Sequence, residues 1–197
     1  MKQRFGAFAT MGFVALWAFP GTLQAQFEAE PAIKVKLSVQ VYNWANVPAG
    51  ILQRGQAVAG RIFEEAGVEL KWKECPCDTG EPTALSIRII PTLFGSTTSS
   101  FRSDHLGFAA ATEDGGVLAS VFYDRIESLG KGGDLSKLLG LATVHELGHL
   151  LLGSRAHTED GIMRPRWTRQ LLRQPHRDHF RFSAEQSETI RQRISKW

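Results

Sequence analysis

The chain has 197 residues, 43% of them hydrophobic, and carries 23 Lys and Arg against 20 Asp and Glu, with a sequence pI near 9.0. That length holds one ordinary domain with or without a disposable leader, and the apolar content supports a real core. The small net charge says little for nucleic-acid binding, which needs several cations clustered on one surface, and two cysteines exclude a lattice of disulfides, so no nucleic-acid partner and no cystine-stapled scaffold is expected.

At the start, Lys2 and Arg4 precede an apolar stretch from Phe5 to Phe19, followed by Pro20, Gly21 and Leu23-Gln24-Ala25. This is the layout of a secretory signal peptide over residues 1–25, and it predicts a mature chain, 26–197, that begins at Gln26 and is secreted or periplasmic. Gly6, Thr10 and Gly12 dilute a run already short for a bilayer, so no stable membrane insertion is expected after cleavage. Too few residues then precede the first strand for an inhibitory propeptide, and no zymogen is expected. From Arg164 onward nine Lys or Arg stand against three acids, which reads as a solvated basic face.

Ile33 to Val41 alternates apolar and polar residues, the period of a strand with one buried face. Pro48 can open a helix whose stripe of Ile51, Leu52, Val58, Ile62 and Phe63 ends before Gly67. Val68, Leu70 and Trp72 alternate again, as do Leu85, Ile87 and Ile89, giving second and third strands. Between them Cys75-Pro76-Cys77 reads as a loop or an oxidisable pair, since a bridge between positions two apart is strained. Thr92 to Asp104 lacks any period and predicts an exposed loop, Phe108 to Thr112 a short edge strand, and Val117 to Tyr123 a buried strand after the Asp114-Gly115-Gly116 turn.

Asp134 can cap a helix apolar on most of its circumference, hence central, that Gly153 stops. Ser183 and Gln186 have capping-box spacing before a terminal helix with Ile190, Ile194 and Trp197 as its stripe. The order of elements predicts an α+β fold.

On the central helix His145 and His149 lie four apart, so both imidazoles project from one face and can hold one ion, for which zinc is the expected cofactor. Glu146 is placed to act as general base toward a water at that metal. A buried apolar helix has little reason to carry three ionisable side chains unless something compensates them. Gly148, costly in a helix, would admit close packing or substrate backbone beside the second histidine. For a third ligand, His157 is favoured by type and proximity, with Asp160 as competitor; His105, His176 and His179 read as surface histidines.

These residues resemble the metzincin zinc endopeptidases, and among them the matrixins. The family motif, His-Glu-x-x-His-x-x-Gly-x-x-His, is matched by His145, Glu146 and His149, while Gly153 arrives one residue late and His157 two. Gly161-Ile162-Met163-Arg164-Pro165 is similar to the methionine turn that follows, with Arg164 where matrixins carry tyrosine. The resemblance implies a zincin domain with a twisted mixed sheet, a central metal-bearing helix and a small C-terminal lower part. It also implies a zinc-dependent endopeptidase acting on peptide or protein substrates, with His145, His149 and His157 on the metal and Glu146 catalytic. Two alternatives stay open: a gluzincin-type peptidase with Glu185 or Glu188 as third ligand, and a zinc-binding protein without turnover. Neither the oligomeric state nor the cleaved sequence is readable.

Overall fold

The computed structural model describes residues 35–75, 85–91, 105–173 and 180–197. The leader, the loop from Thr92 to Asp104, Cys77, His176 and His179 lie outside the described residues.

Alternating segments become strands and the 3.6-period segments become helices. The elements in chain order are β1 (Val35–Asn43), α1 (Ala49–Glu65), β2 (Val68–Glu74), β3 (Leu85–Ile90), β4 (Gly107–Thr112), β5 (Gly115–Phe122), α2 (Tyr123–Leu129), α3 (Leu135–Leu152), α4 (Arg169–Arg173) and α5 (Ala184–Ile194). The strands form one mixed sheet of order β2-β1-β3-β5-β4, with β4 antiparallel to β5 and the other pairs parallel. The fold is thus α+β, with the expected edge strand at the sheet margin.

Register puts the apolar residues of neighbouring strands on the same face: Val39 pairs with Leu85 and Val41 with Ile87, all four fully buried. Helix α1 covers that face with Leu52, Ala59, Ile62 and Phe63. Nearly every residue of α3 is buried, as a helix apolar on all sides must be, so this helix is the axis of the core. Its start is capped by the Asp134 side chain, which accepts from the Lys137 backbone N–H at 3.1 Å. Among the described residues no helix is long and apolar enough to cross a membrane.

Several expectations are corrected. Val117, read as part of a buried strand, is 65% exposed because it precedes Leu118, where pairing with β3 begins. Tyr123 is not a strand residue but opens α2, burying itself and Ile126 three positions on. Trp197 is 59% exposed, since α5 ends at Ile194 and leaves it off the stripe. Cys75, expected as a loop residue or one of an oxidisable pair, is disulfide-bonded.

The Ser183 capping box of α5 is complete, with its hydroxyl accepting from Gln186 N–H at 3.1 Å and the Gln186 side chain accepting from Ser183 N–H at 2.9 Å. Ser183→Ala should therefore cost about 1 kcal/mol, read as a lower urea midpoint at unchanged slope. Trp197→Ala should stay within about 0.5 kcal/mol. The reverse ranking would contradict this account of how α5 is held.

Candidate metal centre

His145 and His149 lie four positions apart on α3, so their rings lie one turn apart, 4.9 Å between centroids. Each ring is fixed from behind by the backbone. His145 Nδ1–H donates to the carbonyl of Ile162 at 2.9 Å, and His149 Nδ1–H donates to the carbonyl of Gly153 at 3.2 Å. Because a carbonyl can only accept, both rings carry the proton on Nδ1 and present an Nε2 lone pair forward.

The Nε2 atoms of His145 and His149 lie 3.2 Å apart, and His157 Nε2 lies 3.1 Å from the second and 3.3 Å from the first. Two lone pairs with no proton between them repel, so this triangle calls for a cation. A tetrahedral site with nitrogens at 2.0 to 2.1 Å from zinc places them about 3.3 to 3.4 Å from one another, which the observed spacing matches to within a few tenths of an ångström. Among the described residues these three form the group of His, Cys, Asp or Glu side chains placed to hold a metal ion.

Electrostatics keeps the ligands in their binding form. Burial lowers the His145 pKa to about 3, against the pull of the Ile162 carbonyl and with help from His149, His157 and His105. His149 and His157 are likewise held below the ordinary histidine value, chiefly by burial. The rings are neutral at physiological pH, so a metal has no proton to displace.

The late arrival of Gly153 and His157 has a simple structural solution. The helix stays regular through Leu152, and Gly153 then turns at φ +99°, donating its N–H to the His149 carbonyl at 2.9 Å. Any side chain there would meet the Glu113 carbonyl, since an added Cβ would lie 2.2 Å from it. Ser154 N–H next bonds the Thr112 carbonyl of β4 at 2.8 Å, and the chain loops back to bring in His157. The extra helical residue is thus absorbed by docking the exit against the β4–β5 turn.

Beneath the triad, Ile162 and Met163 are fully buried. Thr158 N–H bonds the Met163 carbonyl at 3.1 Å, which closes the return loop. A Cβ on Gly148 would lie 2.5 Å from Met163 Sδ and 3.2 Å from the Phe182 ring. Of the two roles expected for Gly148, close packing is the one observed.

Glu146 faces the same cleft, about 310 Å³ between α3, β4 and Trp167. It is 6% exposed, and burial raises its pKa to about 8.

The competing ligands are placed elsewhere. Asp160 is exposed and salt-bridged to Arg164 at 2.6 Å. Glu188 holds Arg191 and Gln192, and neither it nor Glu185 belongs to the histidine group. His105 lines the cleft outside that group, its carbonyl accepting from Arg125 at 2.7 Å.

Sequence reading missed Trp167, whose ring stands edge-on to His145 at 5.5 Å and to Phe180 at 5.7 Å, with Nε1 buried and lacking a hydrogen-bond partner. It also missed Gly107 on the cleft wall. The Ile162 and Gly153 carbonyls carry no side-chain signal at all.

No family model matches the sequence, and no curated protein matches it. Among solved structures the chain is similar to archaemetzincin from Methanopyrus kandleri, at 14% identity and TM-score 0.49, over 85% of this chain and 99% of that one. It is also similar to metalloproteinase-II from Bacteroides fragilis, at 11% identity and TM-score 0.48, over 83% of this chain but only 54% of that one.

Competition against a chromogenic chelator ranks the candidate ligands directly. His157→Ala should lose tight zinc binding, whereas Asp160→Ala should retain the unsubstituted affinity, because Asp160 is engaged by Arg164. The opposite result would move the third ligand to Asp160.

Proposed function

We propose that the chain is a secreted or periplasmic zinc-dependent endopeptidase. The observation that carries this reading is the convergence of three Nε2 atoms 3.1 to 3.3 Å apart beside a buried carboxylate, in a cleft bounded by an edge strand. His145, His149 and His157 would hold zinc, leaving a fourth position open. Bound there, the metal supplies a Lewis acid that polarises the scissile carbonyl and lowers the pKa of water.

The chain's own residues do the rest. Among the described residues β4 is the marginal strand of the sheet, the kind of element to which an extended peptide adds by backbone hydrogen bonds. Glu146 takes a proton from the attacking water as its oxygen bonds the carbonyl carbon. The C–N bond then breaks, and Glu146 returns the proton to the leaving nitrogen. The two backbone carbonyls behind the His145 and His149 rings keep them from turning away.

Export is supported by the charged, apolar and small-residue sequence of the first 25 residues. The Met163-Arg164-Pro165 order supports placing the chain nearest the matrixins, although Arg164 is spent on Asp160 and the Glu159 carbonyl.

Glu146→Ala should bind zinc as the unsubstituted protein does and lose hydrolysis of a peptide library by about 10²- to 10⁴-fold, the usual worth of a positioned general base. Zinc content and cleavage products measured on the same sample check both halves. Sustained turnover would remove Glu146 from the chemistry, and loss of the metal would make it a ligand.

A further inference from the structure

The histidines are oriented by hydrogen bonds to Ile162 and Gly153, but among the described residues no hydrogen bond or ion pair fixes the Glu146 carboxylate. Its position is therefore a matter of packing. The closest wall is the edge strand: a Cβ built on Gly107 would lie 2.9 Å from both Cγ and Oε1 of Glu146. Real Cβ atoms essentially never approach so closely, so any side chain at 107 would push the carboxylate out of its place. The other small residues of the cleft-lining strand, Ala109 and Ala111, keep their Cβ atoms.

We propose that Gly107 is a positioning residue for Glu146, its missing side chain forming the slot that aims the carboxylate at the space before the three histidines. The proposal rests on Glu146 being the base. It assigns β4 a second task, since the strand that would pair with substrate also sets where the proton acceptor sits. His145 and His149, held by the Ile162 and Gly153 carbonyls, are independent of this slot.

A Cβ at 107 would also lie 2.4 Å from the Ser120 carbonyl, so the test must separate the two contacts. Gly107→Ala, Glu146→Ala, Glu146→Asp and the double variants are compared for zinc affinity, kcat, KM and thermal unfolding. Gly107→Ala should keep zinc affinity and KM while losing about 10²-fold in kcat, the cost of misplacing a reacting group by about 1 Å. Glu146→Asp withdraws the carboxylate by one methylene, so the double variant should lose less than the product of the two single losses.

The fall in Tm caused by Gly107→Ala should be smaller when Glu146 is already alanine, a result readable without any peptidase activity. Should Gly107→Ala alone not fold, the double variant with Glu146→Ala should. Equal Tm losses in both backgrounds, failure of both to fold, or multiplying kcat losses would each overturn the proposal. A native chain that cleaves nothing refutes the reading of Glu146 as base, while the stability comparison still decides the contact.

Discussion

Three imidazole nitrogens facing one another at 3.1 to 3.3 Å are an unstable arrangement by themselves, and the local architecture follows from the need to hold them there. Two of the rings cannot rotate to relieve the repulsion without breaking the hydrogen bonds that their Nδ1–H groups donate to the Ile162 and Gly153 carbonyls. Those carbonyls are themselves located by packing. Ile162 N–H is tied to the Arg181 carbonyl at 3.0 Å, and Met163 fits against the bare backbone of Gly148. Gly153 is locked by positive φ and by the β4–β5 turn pressing on it. Gly148 costs α3 some helix propensity, which the packing of Met163 and Phe182 against its bare backbone offsets, and Gly153 at positive φ ends the helix in a conformation glycine adopts freely.

The same elements give the cleft its asymmetry. On one side Trp167 stands edge-on to both His145 and the buried Phe180. Another wall is the marginal strand β4, where Gly107, Ala109 and Ala111 keep side chains short. Glu146 lies in this cleft, buried, and burial raises its pKa.

Much of this was legible in the residues because it depends on period. Four-residue spacing puts His145 and His149 on one face whatever the tertiary context, and the alternation from Val35 to Val41 predicts β1 for the same reason. Asp134, Ser183 and Gln186 announced helix starts through local side-chain chemistry, which tertiary packing left undisturbed. His157 was reachable from donor type and nearness in sequence, although the turn that delivers it depends on Glu113 and Thr112, some forty residues upstream. What stayed hidden acts through the backbone or at long range: the two orienting carbonyls, the Gly107 slot, and Trp167 against His145. Short helices α2 and α4 lack the length for a detectable stripe, and Val117 is apolar but lies ahead of the strand pairing that would bury it.

The central claim is that three histidines of one chain share one zinc ion, and X-ray absorption at the zinc edge of the purified protein tests it most directly. The account predicts one zinc per chain with three imidazole nitrogens at about 2.0 to 2.1 Å and a lighter oxygen ligand completing the shell. A shell with only two imidazoles, filled out by carboxylate or thiolate, would contradict it.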